Sequence, residues 1–362
     1  MPAGEGCIFE GAIFLGSGVD VQLTTLFQQI VNGLSLGSVY ALIAVGYSLV
    51  YSILSFSNFA HGGFLVVGGY ICYGLLVGFQ LPVVAYYIRF QLPITFASYH
   101  FFTITVATPS IWVASAVALI VTGLVATLTE RLAYKPIRER TSVTLYLLIA
   151  SMGMSIVIEN IFVIVVGGRF RALPPNAFEG VFFYLEKICS FLGAEVSNKL
   201  ISLGGGVVVS MFDILSLLVA VVFLGGLQLF LSWTRWGLAI RAAASDLRTA
   251  GLMGVNVSLL IGIVFFVAGL LAAIGGIFLS FRYTLYPQLG AITIKAFVAA
   301  VIGGLGSLPG AVFGSLVLGL AEMLTAGFIS SQMRDLVVFS MLVLMLLVRP
   351  AGFFGKRISD KV

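Results

Sequence analysis

The longest uncharged stretch of the chain constrains its fold more than any other feature of the sequence. From residue 21 to residue 88 there is no Asp, Glu, Lys or Arg. Soluble domains carry charged side chains at much shorter intervals, whereas a helix that crosses a bilayer needs roughly 20 consecutive, mostly apolar residues. The stretch therefore predicts membrane-spanning helices rather than the core of a soluble domain.

The composition extends this conclusion to the whole chain. Of the 362 residues, 60% are hydrophobic and 9% are charged, and the mean hydropathy is +1.13. These values predict an all-α, polytopic integral membrane protein with about nine transmembrane helices, in a range of about eight to ten. The net charge of +5 is too small and too scattered to indicate nucleic-acid binding. The cysteines, which lack the spacing of a metal site or a disulfide framework, are Cys7, Cys72 and Cys189.

A polar patch interrupts the uncharged stretch near its middle. Its members are Ser55, Ser57, Asn58 and His61. Non-helical backbone at membrane depth is tolerated only where protein or a water-filled cavity satisfies its N–H and C=O groups. We therefore interpret residues 52–63 as a broken or re-entrant element that lines a cavity. For His61, hydrogen bonding that holds a broken helix together and direct contact with a solute both remain open, and no partner lies at metal-ligand spacing.

Basic residues predict the orientation of the spans. By the positive-inside rule, the clusters in 130–141 and 233–257 make these loops cytoplasmic. Segments 80–107 and 167–211 are then outer loops, and 1–25 is an extracytoplasmic lead. Residues 26–349 form the transmembrane domain and 350–362 a cytoplasmic tail. The basic residues of the two loops are Arg131, Lys135, Arg138, Arg140, Arg235, Arg241 and Arg248.

Helix breakers near the C-terminal end predict two short spans that meet at a cytoplasmic turn. They are Gly303, Gly304, Gly306, Pro309 and Gly310. No internal sequence repeat is visible, although an inverted structural repeat can exist without one.

Three ionisable residues fall inside predicted spans, and such residues normally face protein or water. Glu159 is a candidate for the translocation pathway, with contact to the membrane interface an equally open alternative. Glu322 lies near a span end and can reach the interface. For Lys295 we expect the ammonium group to reach the interface along its flexible stem.

The loop 233–257 contains the pattern of a short helix. Ser245 and Asp246 predict an N-cap for a helix over Leu247–Leu252, and Gly254 predicts its left-handed stop. A folded element between two spans could dock a partner protein, and a solvated loop with ordinary positive-inside charge is the alternative.

Sequence motifs for catalysis are missing. No segment matches G-x-x-x-x-G-K-[ST], whose backbone amides hold nucleotide phosphates, so we expect no ATP hydrolysis by this chain. We identify no catalytic residue, metal site or bound cofactor in the sequence.

Several ordered motifs resemble the H-type permeases of branched-chain amino-acid ABC importers. They cover most of 32–355 and include N-G-L-S-L-G-S-V-Y-A-L-I-A-V-G-Y-S-L-V-Y, S-N-F-A-H-G-G, E-R-L-A-Y-K-P-I-R and K-A-F-V-A-A-V-I-G-G-L-G-S-L-P-G-A-V-F-G. Three departures stand out, and one is that the outer segments 82–105 and 178–210 look longer than, or different from, those of the family. Gly63 occupies a position where the family usually has Glu. Of the family's coupling motif, Glu-Ala-Ala-x-x-x-Gly, the chain keeps only Ala250 and Gly254.

The resemblance implies a transport subunit of a bacterial or archaeal inner membrane. Its expected partners are a second permease subunit (M-type, or a homologous copy), two ATP-binding subunits that use the ATP, an extracytoplasmic binding protein and membrane lipid. Branched-chain or other hydrophobic amino acids are the expected substrates. Urea, amides, short peptides, and a stand-alone channel or secondary transporter for a small polar solute remain alternatives. The resemblance assigns contact with the ATPase to a loop that includes Arg241, Ser245, Asp246, Arg248, Ala250 and Gly254.

Overall fold

The membrane body consists of helices, and the connections carry short strands. The computed structural model describes residues 7–77, 79–82, 101–104, 110–141, 143–191, 195–197, 200–202 and 207–355. Within these ranges, seven helical spans are long and apolar enough to cross a membrane, and the shorter apolar segments are His61–Val77 and Pro287–Gly303. The helices are α1 (Cys7–Leu54), α2 (His61–Val77), α3 (Ile111–Thr129), α4 (Lys135–Arg140), α5 (Thr144–Val165), α6 (Glu179–Phe191), α7 (Met211–Trp233), α8 (Arg235–Ser245), α9 (Leu247–Leu252), α10 (Val257–Tyr283), α11 (Thr293–Gly303), α12 (Leu308–Phe328) and α13 (Arg334–Val348).

The all-α polytopic fold is confirmed, and the predicted break after the first span is present. The segment 55–60 separates α1 from α2. The prediction of two short spans around residues 303–310 is half wrong. Only α11 is short, whereas α12 is a full span of 21 residues. Pro309 lies in the first turn of α12, where the backbone N–H groups have no intrahelical partner. A proline there costs no hydrogen bond, so Pro309 starts the helix instead of breaking it.

The predicted outer loops contain the short strands and one further helix. β1 (Phe79–Pro82) and β2 (Phe101–Ile104) form an antiparallel hairpin. Much of the predicted loop 80–107 lies outside the described residues, as do residues 356–362 of the predicted tail. In 167–211 the chain forms α6 and an antiparallel sheet of β3 (Glu195–Ser197), β4 (Leu200–Ser202) and β5 (Val208–Ser210).

The long helices α1 and α10 lie antiparallel at the centre of the body. Ile43 packs against Gly275, whereas Gly46, further along α1, lies near Ala268, earlier in α10. Small residues permit this close approach, since a Cβ on Gly275 would lie 2.5 Å from Ile43 Cγ1.

Two halves of the chain repeat the same arrangement in opposite directions. In the first half α1 is followed by a break, the short α2, then α3 and α5; in the second α10 is followed by a break, the short α11, then α12 and α13. The contacts are reciprocal, because α1 packs on α12 and α11 while α10 packs on α3 and α2. Among described non-glycine residues, positive φ occurs at Ser55 (52°) and Thr284 (71°), one just after each long helix. The fold is therefore an inverted repeat.

One side of the body carries the basic loops. We call it the basic face and define it by the π-helical segment Glu130–Tyr134, α4, α8 and α9. Glu130–Tyr134 and α9 contact α10, and α8 contacts both α1 and α10. The two predicted basic loops thus lie on the same side of the body.

Candidate translocation site

The two short helices begin at the same point inside the body. A Cβ on Gly62, in the first turn of α2, would lie 2.8 Å from both the Gly290 carbonyl oxygen and Thr293 Oγ1. From here α2 runs away from the basic face and α11 runs towards it. The N-terminal ends of both helices, where N–H groups lack intrahelical partners, therefore meet at one place.

This meeting point lies near the middle of the membrane-spanning body. The ring of His61 packs against Gly46, eight residues before the end of α1, and near Ala268, eleven residues into α10. At about 1.5 Å per residue these positions lie about 12 and 16 Å from the helix ends at the basic face. A hydrocarbon core is about 30 Å thick, so the meeting point is at mid-depth.

The break between α1 and α2 is held by side chains of other elements. Asn58 is 1% exposed, and its Oδ1 accepts a hydrogen bond from Tyr134 Oη at 2.9 Å. The Phe59 N–H donates to Ser151 Oγ at 3.1 Å. Ser57 is half-buried and Ser55 is exposed on the basic side. These contacts satisfy part of the non-helical backbone within protein, while Asn58 Nδ2 has no partner among the described residues.

His61 is fully buried without the hydrogen bonds expected of a residue that holds a helix break together. The backbone of Ile43 approaches the ring, yet neither ring nitrogen has a hydrogen bond of good geometry to a described residue. Its contacts are aromatic, with the Tyr47 ring at 5.1 Å and the Phe64 ring at 6.3 Å between centroids. The hydrogen-bonding interpretation of His61 and the solute-contact interpretation both stay predictions.

Glu159 lies at the same depth, on α5. Its Oε1 accepts a hydrogen bond from Ser155 Oγ at 3.1 Å and lies 2.9 Å from the position that a Cβ on Gly290 would occupy. The side chain is half-buried, and the neighbouring Asn160 is exposed. The structure thus brings Glu159 to the point where α2 and α11 begin.

The departure at Gly63 has a local explanation. A Cβ on Gly63 would lie 3.1 Å from Ile158 Cβ on α5. A larger residue at this position would require the Ile158 side chain to shift by a few tenths of an ångström, so Gly63 permits the close contact between α2 and α5.

The sequence interpretation missed an ion-pair network around Lys295. Lys295 Nζ lies 2.8 Å from Glu322 Oε1 and 2.8 Å from Asp335 Oδ1, whose side chain is 68% exposed, so the expectation that Lys295 reaches the interface stays a prediction. Tyr40 Oη donates to Glu322 Oε2 at 3.0 Å. Glu322 is 1% exposed, and its carboxylate is contacted by Lys295 of α11 and Tyr40 of α1. The signal was in the sequence, since two opposite charges on successive apolar helices predict a pair.

Two further ion pairs lie at opposite ends of the body. Arg282 Nη1 lies 3.3 Å from Asp213 Oδ1, and Ser35 Oγ donates to the same carboxylate at 2.6 Å. At the basic face, Arg138 Nη1 lies 3.0 Å from the fully buried Glu130. Among the described residues, no three His, Cys, Asp or Glu side chains lie together as metal ligands would.

The predicted short helix of the basic face is confirmed as α9, Leu247–Leu252. Asp246 is its N-cap, and hydrogen bonds from the Thr249 hydroxyl and backbone, then from the Arg248 N–H, lower the pKa of the Asp246 carboxyl. Ser245 is not part of the cap, because it is the last residue of α8. Gly254 has φ of +89°, which confirms the left-handed stop.

Contacts fix this element to the membrane body. Arg241 Nη1 donates to the Leu231 carbonyl at the end of α7, at 2.5 Å, and Ala250 is buried. Arg248 points outward. Sequence interpretation missed two highly exposed apolar side chains at the end of this helix, Leu252 at 87% and Met253 at 82%. They form an apolar tip on a rigidly held loop.

Discontinuous helices that meet at mid-depth between inverted halves define this chain as a membrane transport protein. The chain belongs to the family described as branched-chain amino acid transport system / permease component, whose sequence model matches residues 29–346.

Named relatives resemble the chain over most of its length. The high-affinity branched-chain amino acid transport system permease protein BraD of Pseudomonas aeruginosa is 36% identical over 92% of this chain and 97% of its own. The high-affinity branched-chain amino acid transport system permease protein LivH of Salmonella typhimurium is 33% identical over 94% of this chain and 99% of its own. A probable branched-chain amino acid transport permease protein LivH of Methanocaldococcus jannaschii is 27% identical over 87% and 88%. No solved structure matches the chain.

Proposed function

We propose that the chain is a permease subunit of an ABC importer for branched-chain or other hydrophobic amino acids. The observation that carries the proposal is near full-length similarity to permeases named for branched-chain amino acid transport. An inverted repeat with two short helices that begin at mid-depth supports alternating access, because each half can rock about the meeting point of α2 and α11.

The proposal assigns a different partner to each of the two faces of the body. The positive-inside rule makes the basic face cytoplasmic. Partner ATPases bind there, with α8 and α9 as the contact and Leu252 and Met253 as its apolar tip. A substrate-binding protein docks on the opposite face. No segment of the sequence matches G-x-x-x-x-G-K-[ST], and in this proposal the partner subunits use the ATP.

Asn58, His61 and Glu159 line the pathway in this proposal. In the conformation described, Asn58 and His61 are buried, so access to them requires movement of one half against the other. Unpartnered polar atoms in a buried site favour contact with a polar solute, because leaving them unpaired costs about 1–3 kcal/mol each.

Reconstitution tests the proposed function directly. The permease, its second permease subunit, the ATPases and the binding protein are placed in proteoliposomes, and uptake of labelled leucine, urea and a dipeptide is measured with and without ATP. We expect ATP-dependent leucine uptake only with the complete set. Uptake by the permease alone, driven by an ion gradient, would show a secondary transporter instead.

Replacing His61 with Leu tests its role in the pathway. The change removes two unpartnered nitrogens and keeps a side chain of similar volume, so we expect the free energy of unfolding to change by less than about 1.5 kcal/mol. We expect uptake per folded molecule to fall at least about tenfold, a loss of about 1.4 kcal/mol. Phe64→Leu, at the ring beside it, is the control for altered packing and should keep its uptake. Loss of folded His61→Leu protein in proportion to uptake would assign His61 a structural role.

A further inference from the structure

The helix α3 continues through an irregular turn into α4 on the basic face. One helical span covers Ile111–Arg140, and within it the segment Glu130–Tyr134 is π-helical. Here the Lys135 N–H donates to the Glu130 carbonyl, five residues earlier. Turns of this kind are rare and are found most often as single turns at functional sites. Helices also kink at them, so α4 can move relative to α3 at this point.

Two buried side chains connect this π-helical turn to its surroundings. Glu130 and Tyr134 are both 0% exposed. Glu130 Oε1 lies 3.0 Å from Arg138 Nη1 of α4, while Tyr134 Oη donates to Asn58 Oδ1 at 2.9 Å. The turn therefore joins α4, on the basic face, to the break between α1 and α2.

The contacts of Tyr134 fix the position of the break. Its ring packs against Phe56 in the break, at 5.7 Å between centroids, and against Phe265 of α10 at 5.6 Å. Among the described residues, the Tyr134 hydroxyl is the hydrogen-bond partner of the Asn58 side chain. The second side chain that bonds to the break is Ser151 of α5, which accepts from the Phe59 N–H. The break is thus held by the π-helical turn and by α5.

We propose that Tyr134 is a positioning residue whose hydrogen bond to Asn58 holds the break in its buried conformation until movement of the π-helical turn with α4 releases it. This inference rests on the proposed function, in which a partner ATPase acts on the basic face. Transport also requires the buried Asn58 and His61 to become accessible. Asn58 lies three residues before the start of α2 at His61, so release of the break frees the start of α2.

The reactivity of a cysteine in the break tests this inference in the assembled transporter. The native cysteines are replaced with Ala, and Ser57→Cys is the reporter, because Ser57 lies in the break and is half-buried. Lipid nanodiscs leave both faces of the membrane open to a charged thiol reagent, and the rate of modification is measured without and with ATP. Ser55→Cys, at an exposed position of the same break, gives the reference rate.

In the transporter with Tyr134 unaltered, we expect ATP to increase the rate at Ser57→Cys. Tyr134→Phe removes the hydroxyl and keeps the ring. Because one buried hydrogen bond is lost, we expect at least about a fivefold higher rate without ATP and little further increase with it. No effect of ATP in the transporter with Tyr134 unaltered would overturn the proposed release.

Tyr70→Phe is the matched control for loss of a buried hydroxyl. Tyr70 is also 0% exposed, but its Oη has no hydrogen-bond partner among the described residues. We expect the rate at Ser57→Cys in this variant to equal that of the transporter with both tyrosines unaltered. Equal rates in Tyr134→Phe and Tyr70→Phe would overturn the role given to Tyr134.

A double-mutant cycle tests whether the hydroxyl acts through Asn58. Asn58→Leu removes the same hydrogen bond and keeps a side chain of similar volume. We therefore expect Tyr134→Phe/Asn58→Leu to react no faster than Asn58→Leu alone. A further increase in the double variant contradicts action through Asn58.

Leucine uptake in proteoliposomes of the same preparations separates this inference from the proposed function. ATP-dependent uptake, together with equal rates in Tyr134→Phe and Tyr70→Phe, overturns the role of Tyr134 and leaves the proposed function standing. The expected difference in rates, without uptake of any amino acid by the transporter with both tyrosines unaltered, supports the role of Tyr134 and contradicts the proposed substrate.

Discussion

Replacing Lys295 with Met is expected to lower the free energy of unfolding by about 3–5 kcal/mol, because it leaves a charge buried without its partner. Glu322 stays 1% exposed between α1, α11 and α12, and among the described residues Tyr40 is the donor that remains. Asp335 is largely exposed and loses little when its ion pair with Lys295 is broken. Equilibrium unfolding in mixed micelles measures the change.

Lys135→Met is the matched control for this prediction. Lys135 also pairs with a carboxylate, but Nζ lies 3.9 Å from Glu139 Oε1 and the two side chains are 38% and 63% exposed. Exposed pairs contribute about 0.3–0.5 kcal/mol on a helix, so Lys135→Met should change stability by less than about 1 kcal/mol. The double variant Lys295→Met/Glu322→Gln should recover much of the loss, because the buried charge is then removed. Equal stability of Lys295→Met and Lys135→Met would contradict the role given to the network.

Replacing Gly254 with Val is expected to abolish ATP-driven uptake while leaving the membrane body folded. Gly254 has φ of +89°, a region that a β-branched residue adopts only with strain. Space is not the obstacle, because a Cβ at Gly254 would have no atom within 4 Å. The strain is relieved by moving the end of α9, together with Leu252 and Met253. In the proposed assembly, a displaced α9 would no longer transmit the movement of the partner ATPase to the membrane body.

Gly167→Val carries the same strain at the opposite end of the body. Gly167 has φ of +93° and equally open surroundings, but it follows α5 and lies far from the basic face. We expect Gly167→Val to retain more than half of wild-type uptake and to bind the ATPase normally. Gly254→Val should lose at least about 90% of uptake and of ATPase co-purification. Equal uptake by the two variants would exclude α9 as the coupling element.

Local sequence signals predicted the features that depend on neighbouring residues. The α9 helix was predicted from its cap and its glycine, because capping is settled within one turn of chain. The break after α1 was predicted because polar side chains and non-helical backbone have few places in lipid. The length of α12 was predicted wrongly, which shows the limit of this approach. A proline interrupts a helix when it lies in the interior and can begin one when it lies in the first turn, and the sequence alone did not place Pro309 in either position.

Interactions between distant segments were not predicted from single residues. Lys295 and Glu322 are on separate helices, and their distance depends on how α11 and α12 pack. The position of Glu159 also depends on packing, because α5 must meet both the start of α2 at Gly62 and the segment that contains Gly290. Residue type indicated that Glu159 needs protein or water, and it did not indicate which helices supply them.

The sequence by itself determined the membrane environment, the helical class, the grouping of basic loops on one side and the family. These follow from hydrophobicity, charge and motifs, which are properties of the chain read in order. Only the tertiary structure revealed the inverted repeat, the meeting of α2 with α11 and the ion pair between Lys295 and Glu322. The physical reason is that lipid-facing and protein-facing apolar residues have the same chemistry. Which face each helix buries is therefore decided by packing between distant segments, not by the residues of the helix alone.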